Sequence, residues 1–169
     1  MTTDRLYYSD AYRATFDARV VACEPQAAIG GTPPTYLVEL DATAFYPTTG
    51  GQPFDTGALG DARVIDVLDE DDGRVVHIVE APLVPGALVR GAIDWPRRFE
   101  HMQQHTGQHV LSAAFDRVCA NRTESFHLGS ESCSIDLARE VSAREVAAAV
   151  DEANRIVWED RPVSIRFVS

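Results

Sequence analysis

Three of the chain's five histidines lie within nine residues, in the run H-M-Q-Q-H-T-G-Q-H that starts at His101. Residues four positions apart share one face of a helix, so a helix here would present the imidazoles of His105 and His109 side by side. Two histidines in that arrangement form half of a zinc site. A lone histidine is more often an ordinary surface or core residue, but three in so short a run favour metal binding. Thr106 stands where the HExxH motif of metallopeptidases has its catalytic glutamate, which disfavours a peptidase.

A glycine-rich turn is the second candidate. Gly50 and Gly51 let the backbone turn tightly or approach a ligand closely, and Gln52 then offers both hydrogen-bond donors and an acceptor. The same residues would equally form an ordinary turn between two strands, with Phe45 and Tyr46 packed beneath it. The Gly-Gly-Gln tripeptide alone therefore does not decide between a binding site and a turn.

A third stretch, residues 123–137, contains two residues of types that bind metals, His127 and Cys133. Their spacing matches no zinc pattern, and a cysteine in such a segment is more commonly buried. Recruitment of either residue to a metal site is the weaker interpretation.

The elements that must position these residues change in character near residue 94. The first part of the chain has short β-prone segments separated by turn residues, and Asp72–Gly73 is a strong hairpin signal. Several short strands at this spacing predict a small barrel or sandwich-like β unit. The predicted strands are Ala18–Cys23, Tyr36–Leu40, Arg63–Leu68, Val75–Glu80 and Leu88–Ile93.

The second part of the chain favours helices. A first helix is predicted over residues 96–118, because proline is tolerated in a first turn and the segment holds a single glycine. Ser142 and Glu145 form a capping-box pattern for a second helix, which should end near Asp160 because Pro162 cannot continue it. Its predicted apolar face consists of Val146, Val150, Ala153 and Val157. The predicted strands of this part are Ser132–Leu137 and Val163–Val168.

Charge and composition exclude several classes of protein. The 169 residues carry 26 acidic and 15 basic side chains, a formal net charge of −11, which argues against a general polyanion binder or an anionic-membrane binder. Residues 1–94 carry 15 acids and 6 arginines, whereas residues 95–169 carry 11 and 9. No membrane helix or signal peptide is predicted, so a cytoplasmic location is expected. The three cysteines form no disulfide framework.

Taken together, the motifs resemble a known family. The order T-x-F-Y-P-x-x-G-G-Q-P-x-D-x-G, then I-D-W-x-R-R-x-x-H-M-Q-Q-H-T-G-Q-H-V-L-S-A, then S-F-H-L-G-x-x-x-x-x-I-D-L is similar to the alanyl-tRNA editing proteins of the AlaX type, which are relatives of the editing domain of alanyl-tRNA synthetase. The resemblance runs from about Leu6 to the end of the chain. The H-x-G-Q-H and S-F-H-L-G variants look most like the long-form members.

This resemblance implies a fold and an activity. It implies an α+β protein with a small β-barrel-like domain, residues 1–94, followed by the editing domain shared with threonyl-tRNA synthetase, residues 95–169. The implied activity is zinc-dependent hydrolysis of the ester of mischarged tRNA(Ala), carrying serine or glycine, which maintains translational fidelity. The implied partner is therefore tRNA, and no membrane is involved.

The resemblance also implies roles for individual residues. His105 and His109 would hold the zinc ion together with a later Cys-x-x-x-His segment. Gln52 and the adjoining glycines, Gly50 and Gly51, would lie near the substrate. Gln108 stands where many relatives have a threonine that helps to recognise the serine hydroxyl. Recognition of serine by this position is therefore in question here.

The Cys-x-x-x-His segment does not occur in these 169 residues. A catalytic zinc normally has three protein ligands and one open position, and two ligands are visible. The expectation is therefore a piece of a longer protein or a natural truncation with an impaired site, and a tRNA-binding module without catalysis is the alternative function. A different metal hydrolase that uses His101, His105 and His109 is a weaker alternative.

The excess of acid is concentrated away from the histidine run. Residues 95–130 carry four arginines against three acids, although such arginines often form only a solvated helix face. We predict that tRNA meets this half of the chain and contacts Arg97 and Arg98.

Overall fold

The computed structural model describes residues 2–27, 33–129 and 132–164 of the chain. The chain divides into two compact units, Met1–His101 and Met102–Ser169. This division falls seven residues after the predicted one, because the first two turns of the long helix belong to the first unit.

Strands β1 to β8 lie in the first unit. Six of them close into a barrel in the order β2-β3-β7-β6-β5-β8, with every neighbouring pair antiparallel, whereas β1 and β4 form a separate parallel pair. The predicted barrel is confirmed. The strands are β1 Asp4–Arg5, β2 Thr15–Gln26, β3 Thr35–Leu40, β4 Ala42–Thr43, β5 Gly57–Leu59, β6 Ala62–Asp69, β7 Val75–Val79 and β8 Leu88–Ile93, with a short 3₁₀ helix at Leu6–Tyr8.

The barrel is filled by side chains that alternate along its strands. In β2, Phe16, Ala18 and Val20 point inward while their neighbours are exposed. The Phe16 ring lies directly on the backbone of Gly91 in β8, where a Cβ atom would come within 2.3 Å of the ring. Glycine at that position is therefore required by the close approach. Buried side chains from all six barrel strands complete one continuous core.

The second unit is built from the rest of the long helix, a hairpin and a second helix. Its elements are α1 Trp95–Cys119, β9 Thr123–Leu128, β10 Cys133–Leu137 and α2 Ala143–Trp158. The pairing of β9 with β10 is antiparallel. Both helices and β10 were predicted, whereas β9 was not. Of the predicted strand Val163–Val168, the first two residues are described and form no strand, and the others lie outside the described residues.

The second helix begins as the capping box predicts. The Ser142 hydroxyl accepts a hydrogen bond from the Glu145 amide at 3.3 Å, and the Glu145 carboxylate accepts one from the Ser142 amide at 2.8 Å. These reciprocal bonds satisfy two amides that a helix N-terminus otherwise leaves without partners. Neither described helix combines the length and the apolar character that a bilayer-spanning segment requires.

The predicted apolar face of α2 differs from the buried one. Ala149 is fully buried, against Ala114 and Phe115 of α1, whereas Val150 is 41% and Val157 is 62% exposed. Of the predicted face, Ala153 packs against this core, whereas Val146, Val150 and Val157 are exposed. Periodicity identifies an apolar stripe and not the neighbour that covers it.

Candidate functional site

The glycine turn of the first unit is a tight hairpin. The amides of Thr49 and Gln52 donate to each other's carbonyl oxygens at 3.2 and 3.0 Å. Between them, Gly50 has φ of 56° and Gly51 has φ of 78°. Both values lie in the left-handed region that favours glycine, and two such residues in succession are typical of a two-residue hairpin turn. The side chain of Gln52 is 5% exposed.

The loop around this turn is fastened to the barrel by a buried carboxylate. Asp55 accepts a hydrogen bond from the Tyr46 amide at 2.6 Å, and its own amide donates to the Tyr46 carbonyl at 3.0 Å. Thr48 donates its amide to the Val67 carbonyl of β6 at 3.2 Å. The backbone that carries Gln52 is therefore fixed at both of its ends.

Arg98 does not fit its predicted role as an exposed tRNA contact. Its side chain is only 3% exposed, and Nε donates to both carboxylate oxygens of Asp55 at 3.0 and 2.9 Å. The two terminal nitrogens donate to the carbonyl oxygens of Ala11 and Ala44. The guanidinium is occupied by these internal partners, so Arg98 holds the start of α1 to the barrel unit. A count of charges along the sequence could not distinguish it from a surface arginine.

Arg97 is half-buried and keeps an accessible part. Its Nε donates to the Phe54 carbonyl at 3.2 Å, and its guanidinium lies over the Phe54 ring at 5.5 Å. The contact between Arg97 and tRNA stays a prediction.

The histidine pair lies on one face of α1 in the second unit. The ring centroids of His105 and His109 are 4.9 Å apart and the rings are nearly parallel, at 20°. Phe126 of β9 packs against both, at 5.3 and 6.1 Å. Partial burial, and secondarily the proximity of His109, lower the pKa of His105 and favour its neutral form, which is the form that binds metals.

No third ligand joins the pair within the described ranges. In residues 2–27, 33–129 and 132–164, no group of three or more histidine, cysteine, aspartate or glutamate side chains is arranged to hold a metal ion. The alternative that uses His101, His105 and His109 together is therefore not assembled. His127 is exposed on β9. Cys133 is exposed too, contrary to its predicted burial, and its thiol donates to Gln104 Oε1 at 3.4 Å.

Gln108 has partners that the sequence analysis missed. The side chain is 9% exposed, and Nε2 donates to Ser112 Oγ at 2.7 Å. Thr123 at the start of β9 donates its hydroxyl to the same Ser112 oxygen at 2.7 Å. Ser112 lies four residues after Gln108 on the same helix face, and this spacing could have indicated the contact from the sequence. Thr123 comes from a separate strand, and no local pattern indicates it.

The structure thus distributes the predicted residues between the units. Gln52 and its two glycines belong to the first unit, together with Arg97 and Arg98. His105, Gln108 and His109 belong to the second unit and share the central turns of α1.

Comparison with known proteins places this architecture in a class. No family model matches the chain. The alanyl-tRNA editing protein Aarsd1 of Mus musculus is 37% identical over 168 residues, which cover 95% of this chain and 40% of that protein. The alanine–tRNA ligase of Pyrobaculum neutrophilum is 41% identical over 177 residues, covering 98% of this chain and 18% of the ligase. The ligase of Pyrococcus abyssi is 39% identical over 173 residues, covering 96% and 18%.

The barrel followed by the histidine helix is therefore similar to a segment shared by proteins named alanyl-tRNA editing protein and proteins named alanine–tRNA ligase. The chain is similar to that segment over 95% of its length or more, and the resemblance inferred from its motifs is confirmed. The chain spans about 40% of the length of the Aarsd1 proteins it matches and 18% of the ligases.

Proposed function

We propose that this chain is an aminoacyl-tRNA editing module that hydrolyses the ester bond of mischarged tRNA(Ala). The observation that carries the proposal is the similarity over 95% of the chain to proteins named for alanyl-tRNA editing. The side-by-side imidazoles of His105 and His109 support it, because they offer two donors of a type that zinc binds.

In this proposal His105 and His109 hold zinc. The residues fit the ion in type and in spacing, and the lowered pKa of His105 keeps one ring neutral for coordination. Bound zinc supplies Lewis-acid chemistry, which polarises an ester carbonyl or lowers the pKa of a water molecule. Two imidazoles are one fewer than the usual catalytic set, so the remaining ligand would come from outside the described residues.

The chain's own polar residues would position the substrate. Gln52 is fixed by its hairpin and would hold substrate or water by hydrogen bonds, while Gly50 and Gly51 allow close approach of the backbone. Gln108 would contact the aminoacyl group beside the histidine pair. A pocket that hydrogen-bonds the serine hydroxyl rejects alanine strongly, whereas an apolar pocket for alanine rejects serine only weakly. This asymmetry is the physical reason for a separate site that removes serine from tRNA(Ala). Glycine is the second mischarged amino acid that we expect the site to remove.

Electrostatics favour modest tRNA affinity. The net charge of −11 opposes a polyanion, and Arg98 is engaged inside the protein. Arg97 remains the proposed phosphate contact at the start of α1. Binding should therefore depend on few phosphates and weaken gently with salt.

The decisive experiment measures deacylation of Ser-tRNA(Ala) by zinc-loaded chain. The double variant His105→Ala, His109→Ala should lose about 100-fold or more in rate, because the metal's contribution to transition-state stabilisation amounts to several kcal/mol. His127→Ala is the matched control, since it removes an exposed histidine from β9, outside the pair. Equal rates in the double variant and the control would refute the zinc site, and zinc analysis of each protein would show whether the ion itself was lost.

Among the described residues only His105 and His109 are placed as zinc ligands, which favours a second candidate function. In this alternative the chain binds tRNA without catalysis. It predicts tRNA binding without stoichiometric zinc and without deacylation. Rapid deacylation by the zinc-loaded chain would exclude it.

A further inference from the structure

Three aromatic side chains of the first unit form a row that reaches into solvent. Trp95 and Phe99, one turn apart in α1, stack with their ring centroids 5.8 Å apart and an angle of 28° between the rings. Tyr12, from the loop before β2, also lies against Trp95, at 5.8 Å and 44°. Tyr12 is 66% and Phe99 is 39% exposed. We call this row of Tyr12, Trp95 and Phe99 the aromatic platform, and all of it belongs to the first unit.

The backbone that carries Tyr12 is held in place by hydrogen bonds on both of its sides. The buried guanidinium of Arg98 donates to the carbonyl oxygen of Ala11 at 3.1 Å. The amide of Tyr12 itself donates to the Asp10 carboxylate at 3.0 Å. Because the segment is already fixed, a ligand that contacts the exposed ring has little conformational entropy to remove from it.

The chemistry of the aromatic platform fits a flat partner with a π-face. Apolar side chains scattered singly over a surface are ordinary, whereas a contiguous exposed row is typical of an interaction site. Every nucleobase has a π-face, and stacking of a base on an aromatic side chain contributes affinity without neutralising a phosphate. This source of affinity suits a chain of net charge −11, in which phosphate contacts alone would give weak binding.

A cation next to the platform complements the phosphate of a nucleotide. Arg13 follows Tyr12 directly, its side chain is 39% exposed, and its Nε lies 3.7 Å from the Asp10 carboxylate in a loose ion pair. The carboxylates of Asp10 and Asp94 both accept hydrogen bonds from backbone amides, those of Tyr12 and Arg97. The guanidinium of Arg13 is therefore placed to meet the phosphate beside a base that stacks on Tyr12.

We propose that the aromatic platform is a stacking surface for unpaired nucleotides of an RNA strand, with Tyr12 and Phe99 presenting ring faces and Arg13 contacting phosphate. Resting on the proposed function, the strand is the unpaired 3′ end of tRNA. Stacking tolerates any base, so the platform holds the strand without selecting its sequence. Its residues are distinct from those proposed to hold zinc.

The test uses the single-stranded RNA ACCA, which carries no aminoacyl ester, so its outcome does not depend on hydrolysis. The comparison probe is the same sugar–phosphate chain without bases, which has the same charge. The variant Trp158→Phe, at an 87% exposed position, makes Trp95 the chain's only tryptophan, and quenching of its fluorescence measures binding. We expect ACCA to bind this parent protein about fivefold or more tightly than the abasic chain does, the value of one base–aromatic stack.

Variants of this parent separate stacking from other effects. Tyr12→Ala should weaken binding of ACCA about fivefold or more and leave binding of the abasic chain unchanged, whereas Tyr12→Phe, which keeps the ring, should bind as the parent does. Leu88→Ala is the matched control, because it removes a 68% exposed side chain at the end of β8 farther along the chain from Trp95. Arg13→Gln should weaken binding of both probes and lower its salt dependence by about one phosphate.

Four results would overturn the proposal. Equal affinity for the two probes would assign binding to phosphate contacts alone, and equal affinities of Tyr12→Ala and Leu88→Ala for ACCA would show that the ring is not contacted. Absence of binding to the folded parent would remove the RNA partner. Self-association that Tyr12→Ala abolishes would assign the platform to a second copy of the chain. Deacylation of Ser-tRNA(Ala) in any of these cases would leave the proposed function standing.

Discussion

A continuous cluster of buried side chains from six strands fills the barrel of the first unit, whereas the core cluster of the second unit centres on Ala114, Phe115 and Ala149. Both units expose some apolar side chains, such as Leu88 at 68% in the first and Trp158 at 87% in the second, so the difference lies in the buried clusters. Since burial of apolar area is the main source of stability, the barrel has much the larger share. The proposed metal ligands lie in the unit with the smaller core.

One buried polar side chain from each unit differs in how fully it is paired, although Tyr7 Oη and His101 Nδ1 of the first unit also have no partner among the described residues. In the barrel, His77 is completely enclosed, and both of its ring nitrogens have partners, Val38 at 3.2 Å and Thr43 at 2.8 Å. In the second unit, Gln108 is nearly as buried, yet one of its polar atoms is left without a partner among the described residues. The first arrangement stabilises a fold, and the second is the kind of cost that a binding site incurs.

Substitution of Arg98, whose charge is buried inside the first unit, should cause the largest loss of stability. Arg98→Met keeps an unbranched side chain but leaves the Asp55 carboxylate buried without its counter-ion, so we expect a loss of about 3–5 kcal/mol in the free energy of unfolding. Denaturant titration measures it. Arg117→Met is the control, because Arg117 is 64% exposed in its pair with Glu152 and should cost less than about 1 kcal/mol. Similar losses in both variants would contradict the structural role of Arg98.

His77 should make the barrel sensitive to acid. Its Nδ1 donates to the Val38 carbonyl, so neutral Nε2 accepts from the Thr43 hydroxyl, which itself accepts from the Phe45 amide. Protonation would place a second donor against that hydroxyl and a charge in the core. Burial accordingly lowers the pKa of His77 to about 4 from an ordinary value of 6.5.

The sign of the effect follows from proton binding. Between pH 6.5 and 4 the unfolded chain binds the His77 proton and the folded chain does not, so stability falls as the pH is lowered through that window. Across this window the lowered pKa of His77 reduces the free energy of unfolding by about 3 kcal/mol. Above pH 6.5 this effect does not vary with pH. Unfolding measured from pH 7 to 4 should show this loss in the wild type and in His127→Gln, and not in His77→Gln. Parallel curves for all three proteins would refute it.

Local sequence signals predicted most of the fold. The hairpin at Asp72–Gly73, the strand Leu88–Ile93 and the capping box at Ser142 and Glu145 depend on residues close together in the chain, and the structure has each of them. The three-residue strand Gly57–Leu59 was missed, since it is too short for alternation to be visible.

The candidate site was less predictable because it depends on contacts between distant residues. Helical spacing brought His105 and His109 together. It could not show that Asp55 pairs with a buried Arg98, or that Thr123 of β9 donates a hydrogen bond to Ser112 of α1. Both contacts are decided by tertiary packing, on which residue type and periodicity carry little information.

The smallest effect should come from the exposed valine face of α2, compared with a barrel position by the same substitution. Val64→Thr places a hydroxyl in a fully enclosed site of β6 and should cost about 1–3 kcal/mol, whereas Val157→Thr should change the free energy of unfolding by less than about 0.5 kcal/mol. Because valine and threonine have nearly the same shape, the pair isolates burial from packing. A cost above about 1 kcal/mol at Val157 would mean that this face is covered in solution, and dependence of that cost on protein concentration would identify a second copy of the chain as the cover.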